Sequence, residues 1–277
     1  MKKSVFLDHL SAAAKQEGTS LSRMAAYAAS LGYAGADVRV CSADALRETK
    51  RILAEAGLAI ASVYGRRELH KPLDRDEAHA FFALLRECGC GHALILPPSE
   101  SASTIGDEEA AGVYAHLAAL CEIGEEYGVA VSLESFDAKD AILSDTAALA
   151  RAFAAVPRLC HTLDTGNYAY FGESPIEAIS RFGDRIVHVH LKDRARLSPC
   201  EGDKARLLAD GSEAYSCAVG AGFVPIERCL ALLRARSYRG YLSAEHFGMA
   251  RMKAAIRDSA AYIDRALAEL GCERPRY

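Results

Sequence analysis

Residues 185–193 read RIVHVHLKD, a short apolar run that carries two imidazoles and ends in a charged pair. Side chains alternate along a strand, so His188, His190 and Lys192 share one face. Three further runs have the same form: VAVSLES (129–135), LCHTLDTGN (159–167) and GYLSAEHF (240–247). In them Ser132 goes with Glu134, Thr162 with Asp164 and Ser243 with Glu245. Each run brings an acidic or imidazole side chain to the point where a buried strand emerges into a loop, with a small or polar residue one layer below.

Outward from these runs, apolar segments of strand length alternate with helical patterns along the whole chain, the signature of βα units and a parallel sheet. Strands are predicted at 4–8, 35–40, 58–64, 92–96, 129–134, 160–164, 186–191 and 241–245. Covering helices are marked by apolar residues at three- and four-residue spacing, such as Val113, Leu117, Leu120 and Ile123, or Ile226, Leu230 and Leu233. Gly32, Gly57, Gly128 and Gly240 stand just before strands, where a helix ends in a left-handed cap. Ser20, Asp74, Ser144 and Ser174 are placed to cap helix starts, and Pro175 and Pro225 suit first turns.

Eight βα units close most simply into a single-domain (β/α)8 TIM barrel over residues 1–277, with its chemistry at the C-terminal ends of the strands. A doubly wound open sheet is the alternative. Against it, the first strand is not followed by a Gly-rich phosphate loop, and the candidate ligands come from four consecutive strands. Residues 194–224, with Gly202, Gly211, Gly220 and Gly222, read as one long irregular loop over the active site.

The hydrophobic fraction of 51% is enough to cover a large parallel sheet on both faces. A net charge of −4, with no stretch that concentrates Lys and Arg, argues against nucleic acid as a partner. The N-terminal MKKSVFLDHLSAAAK is interrupted by Asp8 and His9 and fits neither a signal peptide nor a membrane span. A cytoplasmic location with no membrane partner is therefore expected. Nine cysteines, with Cys88, Cys160 and Cys229 in apolar or helical surroundings, read as structural thiols.

Glu134, Asp164, His190 and Glu245 are all divalent-metal ligand types. Charged groups this deep in apolar strands are costly unless paired or metal-bound, and three carboxylates together repel one another without a cation. Three oxygen donors and one nitrogen suit one divalent ion, Mn2+, Mg2+, Co2+ or Zn2+, and the donor set does not rank them.

The chain resembles the sugar phosphate isomerase/epimerase superfamily, with its xylose-isomerase-like TIM barrel. The resemblance runs over nearly the whole length, through GYAGADVRV (32–40), GVAVSLESFD (128–137), LDTGN (163–167), HVHLKD (188–193) and the segment from GAGFVP (220–225) to SAEHF (243–247). It implies that Glu134, Asp164, His190 and Glu245 hold the metal and that Glu134 and Glu245 are also paired proton carriers. The implied reaction is isomerisation or epimerisation of a sugar, ketose or sugar phosphate through a metal-stabilised enediolate. Relatives often form homodimers or homotetramers.

The same resemblance nominates substrate contacts. Asn167 stands where many relatives carry His, Tyr64 takes the place of a His often found at the third strand end, and Asp140 lies six residues after Glu134, where some epimerases have a substrate-binding glutamate. Arg196 is similar in position to a residue that reaches a substrate hydroxyl. Lys192 stands where it can meet a substrate carboxylate or phosphate, Asp193 where it can orient an imidazole, and His188 where it can support His190 from below. Asp37 and Arg39 read as an inward ion pair. No phosphate-binding motif marks the seventh or eighth loop, which favours a non-phosphorylated substrate. Competing functions are a dehydratase of inosose or keto-polyol type, an apurinic-site endonuclease and a sugar-binding barrel without turnover.

Overall fold

The computed structural model describes residues 1–97, 107–136 and 143–272. The first strand, β1 (Lys2–Phe6), leads into two helices, α1 (Leu7–Gln16) and α2 (Leu21–Ser30). β1 lies two residues earlier than the 4–8 expected, because Leu7 already opens α1 and Asp8 sits in its first turn, where an acidic side chain favours the helix. The chain continues through β2 (Tyr33–Arg39), α3 (Ala43–Glu55), β3 (Ala59–Arg66), α4 (Arg75–Glu87), β4 (His92–Leu96), α5 (Asp107–Glu126) and β5 (Ala130–Leu133). Next come α6 (Thr146–Ala155), β6 (Cys160–Asp164), α7 (Pro175–Phe182) and β7 (Ile186–Ala195). The last elements are β8 (Ala205–Leu207), β9 (Glu213–Cys217), α8 (Ile226–Ala235), β10 (Tyr241–Glu245) and α9 (Met252–Cys272).

Strands β1 to β7 pair in parallel in chain order, and β10 pairs with both β7 and β1, so the eight predicted strands form one closed parallel barrel. The long segment after β7 is not irregular throughout. β9 pairs antiparallel with the end of β7 (Arg194↔Ser216), and β8 pairs with β9. Strands of three and five residues are too short for alternation to show in the sequence; pairing of β9 to β7, and of β8 to β9, makes them.

Local signals mostly held. Ser20, Asp74 and Ser174 cap α2, α4 and α7, and Pro175 opens α7. The α6 cap is Asp145, which accepts the Ala148 N–H at 2.6 Å, rather than Ser144. Gly32, Gly57 and Gly128 take positive φ. Gly240 does not: Ser237 at φ 59° turns the chain after α8, and a Cβ on Gly240 would meet the Tyr238 hydroxyl at 2.4 Å.

Two cores result. Between barrel and helices lie Val5, Val38, Val63, Leu133, Leu163, Val189, Leu191 and Leu242, all buried. The barrel interior is polar where such interiors are usually filled by branched aliphatics. The His92 ring on β4 stacks on His188 of β7 at 4.8 Å. His92 Nε2 lies 2.8 Å from Ser132 Oγ, which is 2.7 Å from Thr162 Oγ1. The Ser132 and Thr162 hydroxyls and His92 Nε2 satisfy one another, whereas His92 Nδ1 is buried without a partner among the described residues. Among the described residues no helix is long and apolar enough to cross a membrane, and the eight cysteines whose side chains are described are unpaired.

Candidate active site

The LDTGN motif ends β6 and starts the site. Asp164 Oδ1 accepts the backbone N–H groups of Gly166 (2.9 Å) and Asn167 (3.0 Å), which turns the chain into a short 3-10 helix, Asn167–Phe171. The Thr165 hydroxyl donates to Lys192 O at 2.9 Å and receives Lys192 N–H at 3.0 Å, clipping β6 to β7. Gly166 lets the two approach: a Cβ there would stand 2.8 Å from Lys192 Cγ. Asp164 is thereby fixed with Oδ2 facing inward.

Four strand ends converge on that oxygen's surroundings. His190 Nδ1 lies 2.9 Å from Glu134 Oε2 and 3.4 Å from Glu245 Oε2. Glu134, Asp164 and His190 offer donor atoms within 4.8 Å of one another. All four residues are buried. Lys192 Nζ lies 2.6 Å from both Asp164 Oδ2 and Glu245 Oε1 and donates to Asn167 Oδ1 at 2.9 Å. The carboxylates thus draw in the nearest cation, and the donor set fits a hard to borderline divalent ion.

The electrostatics are those of a crowded, dry acidic cluster. Burial, with Asp164 and Glu134 nearby, pushes the Glu245 carboxyl up to about 8 against the pull of Lys192. Burial raises Glu134 as well. For His190 burial opposes charge, yet Asp37 3.3 Å from Nε2, the hydrogen bond to Glu134 and the fields of Glu134 and Glu245 hold the imidazole well above its usual range.

Beneath His190 lies Asp37, fully buried, whose Oδ2 accepts from His188 Nε2 at 2.7 Å and lies 3.3 Å from His190 Nε2. It does not pair with Arg39, which turns outward to Asp8 at 2.9 Å. Asp37, His188 and His190 also bring three donor atoms within 4.8 Å. Since His190 Nε2 faces Asp37, its Nδ1 is left for the carboxylate side, the usual arrangement of a histidine oriented by a carboxylate behind it.

The nominated substrate contacts divide. Asn167, Lys192 and Tyr64 line a cavity of about 280 Å3 together with Glu134, His190 and Glu245. Asn167 also donates to Ser135 O at 2.7 Å, so it holds Lys192 in place. Tyr64 donates to Asp8 and packs on Phe6. Arg196 is not at the site: it is exposed, donates to Ser212 Oγ at 2.6 Å and lies over Phe223. Asp140 falls outside the described residues. Asp193 orients no imidazole. Its carboxylate accepts the N–H groups of Arg194 (2.7 Å), Gly220 and Gly222 (both 2.9 Å) and Val224 (3.1 Å), which pins the GAGFV loop to β7. A Cβ on Gly222 would meet Asp193 Oδ1 at 2.3 Å, which explains that glycine. His161 and His246 face the helices as their parity predicts, bonded to Tyr168 and Ser259.

Sequence reasoning missed Arg194, which lines the cavity and is 3% exposed. The signal was present: Arg194 continues the row of His190 and Lys192 by one more pair of residues, but the strand was ended at residue 191. A larger neighbouring cavity of about 420 Å3 is lined by Lys71 and by Glu68, Asp74, Glu77 and His116, but among the described residues these last four do not bring three donor atoms within 4.8 Å of one another.

The family model described as xylose isomerase-like TIM barrel matches residues 25–266. The chain belongs to that family. This xylose isomerase-like barrel is 34% identical over 84 residues to an inosose dehydratase of Clostridium beijerinckii, a stretch covering 30% of the chain and only 28% of that relative's length. It is 27% identical over 247 residues to the rhizopine catabolism protein MocC of Rhizobium meliloti, covering 77% of the chain and 70% of the relative. Among solved structures, the probable 3-DHS dehydratase AsbF of Bacillus anthracis superposes with a TM-score of 0.75 at 15% identity, covering 95% of this chain and 99% of that one. An L-ribulose 3-epimerase superposes with a TM-score of 0.71 at 16% identity over the whole of both chains. Identities this low show a common fold. The family is one of enzymes, epimerases and dehydratases among them, so the resemblance drawn from the motifs holds at the level of the superfamily.

Proposed function

We propose that the protein is a divalent-metal-dependent isomerase or epimerase of a small polyhydroxy ketone, removing a proton from the carbon beside the carbonyl to form an enediolate. One observation carries the reading: Glu134 and Glu245, from strands three places apart in the barrel, approach the same nitrogen of His190 at 2.9 and 3.4 Å. Two carboxylates on two sides of one point allow a proton to leave from one side of a substrate and return on the other. Glu134, Asp164, His190 and Glu245 would hold the divalent ion, which would supply Lewis-acid polarisation of the carbonyl and its neighbouring hydroxyl. Lys192, fixed by Asn167, balances the carboxylates and offers an N–H donor to substrate oxygen. Phe6, Leu94, Phe136 and Phe247 line the cavity beside these groups and reduce water there, which strengthens every charge interaction inside.

Dehydration is the second reading, favoured by Lys192. An ammonium 2.6 Å from Glu245 is placed to protonate a leaving hydroxyl after the same first step, and the names of the inosose and 3-DHS dehydratases point the same way. Incubation with Mn2+ and a panel of ketoses, inososes and their acids in D2O decides. Deuterium gained at the carbon beside the carbonyl without loss of water marks the isomerase or epimerase, and loss of water by product mass marks the dehydratase. Glu245→Gln is expected to slow exchange by about a hundredfold or more. Exchange at the native rate in that variant sinks the proton-carrier role.

A further inference from the structure

β7 runs past the barrel rim to Ala195, held there by β9 and by the Asp193 clamp. Arg194 therefore stands about 7 Å further along the strand than Lys192, on the same face. Its side chain is 3% exposed and lines the same cavity. Nη1 donates to Ser216 Oγ at 2.5 Å, and the guanidinium lies 5.1 Å from the Tyr170 ring centre. Nε is buried without a hydrogen-bond partner; Asp164 feels the charge of Arg194, but its Oδ2 is ion-paired to Lys192 at 2.6 Å, and among the described residues no ion pair joins a carboxylate to Arg194.

A guanidinium taken out of water without an anion is costly, so its retention calls for a compensating charge. The cavity is zoned to receive one. Glu134 and Glu245 carry the negative charge at the level of His190, whereas Arg39, Arg66, Arg194 and Arg206 line the remaining wall. Arg39 is engaged by Asp8, and Arg66 and Arg206 are exposed, so Arg194 is the guanidinium that is both buried and without an acidic partner among the described residues. Its planar fork suits two oxygens of a carboxylate or phosphate.

We propose that the substrate bears an anionic group, a carboxylate or a phosphate, received by Arg194 while the ketone end lies at Glu134, His190 and Glu245. The inference rests on the reading of the site above and adds the charge class of its substrate. A carboxylate agrees with the non-phosphorylated substrate that the seventh and eighth loops favour, and a phosphate would depart from it. The volume of about 280 Å3 keeps the molecule small.

Calorimetric titration of the full chain at fixed Mg2+ with D-glucitol, D-gluconate and D-glucitol 6-phosphate tests it with three probes of one carbon skeleton. At least about a tenfold tighter binding of one anionic probe over glucitol is expected, and the probe that shows it names carboxylate or phosphate. Arg194→Gln should bring that probe down to the affinity of glucitol, and Arg194→Lys, which keeps the charge but not the fork, should retain part of the preference. Equal binding of all three probes, binding of none, or an equal loss for all three in a folded Arg194→Gln variant overturns the inference. Proton exchange on a neutral ketone without anion preference would remove this inference and leave the proposed reaction standing. Anion preference without exchange on any substrate would do the reverse.

Discussion

Replacing Asp37 by Asn keeps the shape of a fully buried side chain and removes the charge that two imidazoles share. Asp37 Oδ2 accepts from His188 Nε2 at 2.7 Å and lies 3.3 Å from His190 Nε2, and although burial opposes ionisation, these contacts hold the carboxyl far below its usual range. The charge keeps the His190 proton on Nε2 and leaves Nδ1 facing Glu134 and Glu245. An Asn can accept from one imidazole through its oxygen but presents an N–H2 group to the other. Loss of such an orienting partner costs about 10- to 100-fold in metal affinity, or about 1.4 to 2.7 kcal/mol. Competition with a fluorescent chelator for Mn2+ measures this directly, and a urea melt of the metal-free variant separates it from general destabilisation. An affinity within about twofold of the native protein, with the fold intact, would refute the role given to Asp37.

Metal binding should also depend on pH, because the protons of Glu245, pushed up to about 8, and of His190, held well above its usual range, must leave when these donors take a cation. Affinity for Mn2+ is expected to rise as pH approaches 8, by up to about tenfold per unit for each proton released, and a flat profile from about pH 6 would contradict it. A separate window concerns stability. Burial lowers the His161 imidazole to about 4, so between the unfolded value of about 6.5 and 4 the unfolded chain binds a proton that the native state refuses. This contribution is intact above about pH 6.5 and falls by up to about 3 kcal/mol as pH drops toward 4. Urea midpoints at several pH values measure it, and an unchanged acid slope in His161→Gln would show that another group carries it.

Alternation alone placed Glu134, Asp164, His190 and Glu245 near strand ends on one face, and the closed barrel brings them together, with Glu134, His190 and Glu245 lining one cavity and Asp164 beside Glu134 and His190. Parity also assigned His161 and His246 to the helix side, because a two-residue period leaves little freedom once a strand is buried on both faces. What parity does not hold is the identity of a partner across the barrel. Asp37 and Arg39 share a strand and a face, yet Asp37 meets two histidines of β7 and Arg39 meets Asp8, since Asp37 is fully buried whereas at the rim Arg39 is exposed and Asp8 partly so. A residue two positions away along a strand is about 7 Å off, whereas a residue across a closed sheet can be in contact.

Arg194 failed to show for a different reason. Apolar patterning marks strands where both faces are buried by the barrel, and the last residues of β7 leave the barrel and are buried by a hairpin instead. The row His190, Lys192, Arg194 continues unbroken through that change of partner, so chemistry and scaffold follow different signals. The floor of the site belongs to the barrel and is written in its periodicity. The part of the wall that holds Arg194 is braced by the segment after residue 195, whose five-residue strand forms against β7 and whose three-residue strand forms against that one. Differences among such barrels in what they accept should therefore concentrate in the β8–β9 hairpin and in the cation it buries, while the carboxylate–imidazole floor supports the proton transfer that precedes either outcome.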